Sequence, residues 1–326
     1  MAITAFADVR EQLIDRRLKL ERASATLERS HEVTRLLQEV DAALARMDAG
    51  AFGICETCHD PIEPERLAAD PLTRFCIDHL SPGEQRALEH DLELASHIQS
   101  ELLPRAERVL DGWEFDYLYQ PAGTVSGDYC DVIRGNAGDV YFLVGDVAGH
   151  GVAAAMLMSH LSALLRTLIP FGLPVGEILE RANSAFCSST LASHYATLVC
   201  VRAQPSGEIE ICNAGHPPPL LRSGHTVTRI DATALPIGMF SSSGFPSSRL
   251  QFERGDTLLL YTDGLLEASS PTGDPYGIDR IARVVASADG AAAQMILACA
   301  RDVAAYSGPN RLDDDLTIFA VTRRRE

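Results

Sequence analysis

Residues 140–151 read VYFLVGDVAGHG, a β-prone apolar run that gives way at once to Gly145 and Asp146. Such a run predicts a strand over Val140–Val144. An aspartate at its end projects from a rigid base, and glycine lets backbone and solvent come close. Residues 257–264, TLLLYTDG, repeat the arrangement with Asp263 after Thr257–Tyr261. In residues 313–321, DDDLTIFAV, three aspartates precede the run Leu316–Val321. Ser126-Gly127-Asp128, with Asp131 three further on, is a fourth acidic motif. Singly, an Asp-Gly is a turn and an acidic run is a solvated loop. Brought together, these carboxylates would repel unless neutralised. Two magnesium or manganese ions would do that, and would activate water for in-line attack on a phosphoryl group.

Outward from these motifs lie further β-rich runs at Glu114–Tyr119, Ala196–Val201 and Ile209–Asn213. Helical patterns occupy 151–169, 175–191 and 291–305. Strand runs with helices grouped between them predict an α/β sandwich, of the α+β class, and not a strictly alternating parallel fold.

The whole chain has 326 residues, 46% of them apolar, which suits roughly two domains with packed cores. Its formal charge is 28 − 45 = −17. That surface repels nucleic acid at long range, so no direct nucleic-acid partner is expected. The first residues lack the apolar stretch of a signal peptide, and no apolar stretch is read as reaching the length of a membrane span. The expected compartment is therefore the reducing cytoplasm, where paired cysteines are more often metal ligands than disulfides. Cys130, Cys187, Cys200, Cys212 and Cys299, scattered among apolar residues, read as small buried hydrophobes.

Residues 5–48 contain neither Pro nor Gly and read as helix. Leu13, Leu20 and Leu27, then Val33, Leu37, Val40, Leu44 and Met47, form an apolar seam at coiled-coil spacing that slips by one residue between Leu27 and Val33. A lone helix cannot bury such a seam. It needs a second helix from a partner chain or from its own fold, and a homodimer through residues 8–48 is one expectation. Gly50 and Gly53 end the segment. Ser81 and Pro82 open a connecting helix that Pro104 stops.

Between them, Cys55-x2-Cys58 and Cys76-x2-His79 are separated by seventeen residues, a four-ligand zinc spacing. Four protein ligands leave no open position, so the expected role is structural. His59 breaks the two-residue spacing and reads as a surface residue. The stretch Leu36–Leu80, including LLQEVDAALARMDAGAFGICETCHDPIEPERLAADPLTRFCIDH, resembles the DksA/TraR zinc-finger family. That family commonly has four cysteines where this chain ends on His79. Members with long coiled coils enter RNA polymerase. The short helix here makes the resemblance a statement about fold before polymerase contact.

The second half resembles the metal-dependent protein phosphatase (PPM) family, in its SpoIIE/RsbU-like bacterial branch, over about residues 92–324. ASHIQSELLP, YQPAGTVSGDYCDV, VGDVAGHGVAAAM, NAGHPPPLL, LPIGMF, GDTLLLYTDGLLEA and DDDLTIF occur in family order. The resemblance implies two antiparallel sheets packed face to face with helices outside, and a serine/threonine phosphatase. It implies that Asp146 bridges two metal ions with the Val147 carbonyl beside it. By the same resemblance Asp263 and Asp314 ligate one ion, with Asp315 the runner-up to Asp314, and Asp128 lies near the other. Eukaryotic relatives carry a histidine where this chain has Ala148. Water or His150 would then protonate the leaving group, although His150 also reads as the start of the following helix. His216 reads as structural. No Cys-x5-Arg cradle is present, which disfavours a cysteine nucleophile.

The expected organisation is a helical segment 1–50, a finger 51–81, a linker helix 82–104 and a phosphatase domain 105–326. The expected substrate is a phosphorylated anti-anti-sigma-like protein of a partner-switching pathway. Alternatives are a protein that docks on RNA polymerase and a helical oligomer in which the finger braces a signalling helix.

Overall fold

The computed structural model describes residues 9–10, 13–14, 16–21, 31–63, 66–67, 70–80, 82–104, 107–149, 151–190, 194–288, 290–308 and 314–325. Leu27, Ser81, His150 and Asp313, named above, lie outside them. The chain divides into two compact units, Met1–Asp91 and Leu92–Glu326.

In the first unit, helix α1 (His31–Asp48) carries the second part of the seam. Arg10 pairs with Asp48 at 2.7 Å and Arg17 with Asp41 at 2.8 Å, so the described residues among 9–21 run antiparallel to α1. Leu13, Val40 and Ala43 are buried with Phe52, Ile62 and Leu67, and Leu20, Leu44 and Met47 pack around them. The second helix that the seam requires is thus supplied within the chain. Helix α2 (Pro82–Ser100) spans the division between the units.

The second unit holds eleven strands among its described residues. They are β1 (Val109–Leu110), β2 (Trp113–Gln120), β3 (Asp128–Arg134), β4 (Val140–Val147), β5 (Ala196–Ala203), β6 (Glu208–Ala214), β7 (Leu220–Ser223), β8 (Thr226–Arg229), β9 (Ser248–Gln251), β10 (Thr257–Tyr261) and β11 (Leu316–Arg323). Its helices are α3 (Gly151–Leu168), α4 (Val175–Ser189), α5 (Asp263–Leu266), α6 (Ile278–Ser287) and α7 (Ala292–Ser307). One antiparallel sheet has the order β1-β2-β11-β10-β7-β8, the other β3-β4-β5-β6-β9. This is the two-sheet sandwich of the expectation, and every predicted run forms a strand.

Why the runs are apolar without strict alternation follows from the layers. Phe142 and Val144 of β4 point to the core between the sheets, with Trp113, Phe115, Leu258, Leu260, Phe319 and Val321. Tyr141 and Leu143 point the other way, onto Leu161, Leu165, Ile178, Leu179 and Phe186 of α3 and α4. Leu259, Tyr261, Ile318 and Ala320 likewise meet Ile281, Val285, Met295 and Cys299 of α6 and α7. Each central strand is covered on both faces, so both of its side-chain rows are apolar. Cys130, Cys200, Cys212 and Cys299 are buried, while Cys187 is half-buried.

One expectation needs correction. Among the described residues, Gly151–Phe171 is long and apolar enough to cross a membrane by length and composition. Ala154, Met158, Leu161 and Leu165 of that stretch are core residues packed on the second sheet, so one face of it is buried within the fold, while Val152, Met156 and Phe171 are exposed.

Candidate active site and metal centre

Four chain segments bring the acidic motifs together. Asp128 opens β3 and stands directly opposite Asp146 in the antiparallel register of β4. The strand that starts at Val140 runs on through Asp146 to Val147, beyond the predicted end at Val144. Asp263 is the first residue of α5, immediately after β10 and Thr262. Asp314 and Asp315 precede β11, which pairs with β10. Two glycines permit this convergence. A Cβ on Gly264 would overlap the Asp315 carbonyl oxygen, and one on Gly145 would lie 2.5 Å from the Thr197 carbonyl oxygen.

The carboxylates divide into those held by hydrogen bonds and those left to face one another. Asp128 is 1% exposed. Its Oδ2 accepts from the Thr262 hydroxyl at 2.9 Å and the Thr317 hydroxyl at 2.5 Å. Asp315 accepts the Ala122 N–H at 2.7 Å on Oδ1 and the Gly127 N–H at 2.9 Å on Oδ2. Both of its oxygens therefore tie the loop before β3 to β11. Asp314 is exposed and accepts the Asp315 N–H at 2.8 Å. Asp131 lies elsewhere: Arg166 of α3 grips it with Nε at 2.7 Å and Nη2 at 3.0 Å.

Burial pushes the Asp146 carboxyl up to about 8, and the charges of Asp263, Asp314 and Asp315 add to the rise. Burial also raises Asp128 far above the usual range; the Thr317 and Thr262 hydroxyls oppose this, and Asp146 and Asp315 reinforce it. Asp263 is raised by burial, then by Asp314 and Glu267. No ion pair among the described residues reaches Asp128, Asp146, Asp263, Asp314 or Asp315. The group can be neutralised by protons or by divalent cations, and oxygen-only donors suit magnesium or manganese.

His216 is 3% exposed, and its Nδ1 lies 2.8 Å from the Thr197 hydroxyl. Burial pushes its ring down to about 3, so it stays neutral in the fold. Asn213 accepts the His216 N–H and donates to the His216 carbonyl, which fixes the turn.

In the first unit, ligand atoms of Cys55, Cys58, Cys76 and His79 all lie within 4.8 Å of one another. Cys58 Sγ is 3.7 Å from Cys76 Sγ, and Cys76 Sγ is 3.3 Å from His79 Nδ1. Sulfurs on a tetrahedral ion with bonds of ~2.3 Å stand about 3.8 Å apart, so the thiols already have the spacing of a zinc site. His59 adopts a left-handed φ of 63° just after Cys58 and lets the chain turn back. Burial acts to raise the Cys55 thiol, but N–H groups of Cys58, Cys76 and Thr57 hold it at about 6, poised to bind as thiolate.

Residues 136–324, more than half of the chain, match the family described as stage II sporulation protein E. The chain belongs to the SpoIIE family. Residues 50–78 match the prokaryotic DksA/TraR C4-type zinc finger, so His79 stands just past the matched stretch. The phosphoserine phosphatase RsbP of Bacillus subtilis is 32% identical over 197 residues, 59% of this chain and 48% of RsbP. The crystal structure of RsbU and RsbW domains from a Mycobacterium tuberculosis protein is 31% identical with a TM-score of 0.58, covering 67% of this chain and 63% of that one. The SiaA-PP2C domain of Pseudomonas aeruginosa shares the fold, with a TM-score of 0.66 at 21% identity, over 76% of this chain and 100% of that one. The chain spans about half the length of the curated relatives it matches (41%, 48% and 58% of the first three).

Several residues of this SpoIIE-family site escaped the sequence reading. Thr262 and Thr317 lie inside the quoted motifs, but only the structure turns their hydroxyls onto Asp128. Gln99 of α2 lies inside the quoted motif ASHIQSELLP, which gave it no role of its own. It is 4% exposed; its Nε2 donates to the Ser126 carbonyl at 2.7 Å and its Oε1 accepts the Ser126 N–H at 3.0 Å. The end of α2 thereby holds the loop that carries Asp128. Gln99→Leu would leave two buried backbone groups unsatisfied and is expected to cost about 2–5 kcal/mol. Urea unfolding of the full chain reads this directly, and an unchanged midpoint would remove Gln99 from the account.

Proposed function

We propose that the chain is a metal-dependent serine/threonine protein phosphatase. The observation that carries this reading is the convergence of Asp128, Asp146, Asp263 and Asp314 at adjoining strand ends, with no cationic partner among the described residues. Asp146 would serve both metal ions with the Val147 carbonyl as a neighbouring ligand, Asp263 and Asp314 would hold one ion, and Asp128 would stand near the other. Asp315 is assigned to positioning, because its two oxygens are taken by Ala122 and Gly127. Two manganese or magnesium ions, when bound, supply Lewis acidity that lowers the pKa of water and offsets charge developing on the phosphoryl group. Thr262 and Thr317 both donate to the same oxygen of Asp128 and hold its carboxylate in place. Ala148 offers no proton, so solvent is the proposed donor to the leaving group.

Cys55, Cys58, Cys76 and His79 are proposed to hold one structural zinc ion. The proposed substrate is a phosphorylated anti-anti-sigma-like protein in the cytoplasm, supported by the likeness to RsbP and RsbU. Contact with RNA polymerase is a second reading, supported by the finger's family match; co-purification of polymerase with the intact chain tests it. A homodimer through residues 8–48 would have to form away from Leu13 and Val40, because both are covered within one chain.

The test of the main reading is turnover of a phosphoserine peptide. It should require manganese or magnesium, and Asp263→Asn should lower it at least about a hundredfold at saturating metal. Turnover that persists without divalent metal would sink the reading.

A further inference from the structure

The end of the six-stranded sheet away from the aspartates carries a second charged feature of opposite sign. β11 runs from Leu316, next to Asp315, to Arg323. At roughly 3.3 Å per residue its far end lies about 23 Å away. A cavity of about 430 Å³ sits there, lined by Glu114, Arg222, His225, Arg324 and Arg325 among others. A smaller recess of about 180 Å³ shares Arg324 and Arg325 with it and adds Asp111, Trp113, Arg254 and Arg323. Five arginines from three parts of the chain thus meet two carboxylates, in a protein of net charge −17.

The arginines are held, not merely gathered. Arg222 is 6% exposed. Its guanidinium donates to the Ala288 and Gly290 carbonyls and to the Thr257 hydroxyl. Arg323 donates to the carbonyls of Phe252 at 2.5 Å and Ser206 at 2.8 Å. Gly255, at a φ of 96°, lets Arg325 lie against the backbone; a Cβ there would stand 2.6 Å from its Nε. Keeping like charges in one place raises their mutual repulsion, and an anion relieves it. A guanidinium fork matches phosphate oxygens in pairs. Two adjoining recesses that share Arg324 and Arg325 offer places for two phosphates, and the larger one leaves room for an attached organic group.

We propose that this arginine-lined pole binds a diphosphate, either free or as part of a nucleoside diphosphate. The site is independent of the aspartate cluster and needs no divalent metal. Trp113, the chain's single tryptophan, lines the smaller recess and reports on it.

The experiment is titration of the full chain, in buffer free of magnesium and manganese, with pyrophosphate and separately with ADP. Tryptophan fluorescence should change saturably with at least one of them, with Kd below about 1 mM. Binding by pyrophosphate alone places the specificity in the phosphates; tighter binding of ADP adds a contact to the nucleoside. The double variant R324E/R325E changes two exposed side chains, so its melting temperature should hold, and its affinity should fall at least about tenfold. Arg325→Ala serves as a second variant with the same direction of effect. No saturable change with either compound up to about 10 mM, or undiminished affinity in both variants, overturns the proposal.

Discussion

Asp146→Asn is expected to lower phosphatase turnover about a thousandfold, roughly 4 kcal/mol of transition-state stabilisation, while the fold is kept. A carboxamide matches the shape of the carboxylate but supplies no charge to a divalent ion. The same substitution has a second, opposite signature. Without metal, burial and the neighbouring aspartates hold the Asp146 carboxyl up to about 8, against an ordinary value near 4. A carboxyl raised in the folded state stabilises the fold fully below its unfolded value, and that contribution is lost as pH climbs through the folded value. Wild-type protein free of magnesium and manganese should therefore melt progressively lower between about pH 4 and pH 8, and Asp146→Asn should lose less over that range. Metal uptake must displace the proton, so manganese affinity should rise with pH and level off above about 8. Kinetics at saturating manganese and metal-free melting curves at several pH values check both parts. Near-normal turnover in the variant would remove Asp146 from the centre of the site.

The finger should respond as sharply. Purified protein is expected to carry about one zinc per chain, and Cys58→Ser or Cys76→Ser should release it. Apparent zinc binding energies of about 10–16 kcal/mol are folding energy in segments of this size. The small cluster of Phe52, Ile62 and Leu67 around Cys55 and Cys76 cannot replace that. Amide exchange across the finger should rise towards the unfolded rate in either variant, with β4 and β11 unaffected because they belong to the other unit. Metal analysis and exchange mass spectrometry decide it; zinc retained in both serine variants would show that other groups bind it.

The sandwich could be read from the sequence because its central strands are apolar on both faces. Val140–Val144 and Thr257–Tyr261 stand out for that reason. β3 was missed: DYCDVIR carries two aspartates, one for the site and one for Arg166, so it looks polar although its first four residues are buried. The strands β7, β8 and β9, four residues each, were too brief for their period to show, and helix α6 also went unread although Ile281 and Val285 recur at helical spacing. At the site, motif spacing located the four acidic segments but could not separate Asp314 from Asp315. That distinction rests on which side chain meets the N–H groups of Ala122 and Gly127, a contact across nearly two hundred residues. The seam at Leu13, Leu37 and Val40 announced a helical partner without saying whose it was. Period reveals that a face must be covered, and gives no account of what covers it.

His79 in the fourth position of the finger alters how the site meets an oxidant. A finger of four cysteines can lose its ion and close two disulfides. Three sulfurs can close at most one, and the 3.7 Å approach of Cys58 to Cys76 makes those two the nearest pair. The remaining Cys55 would be left as a free thiol with no sulfur partner in its own finger. An odd count of sulfurs therefore turns a structural knuckle, once stripped, into a group that reacts outward with glutathione or another chain instead of sealing itself.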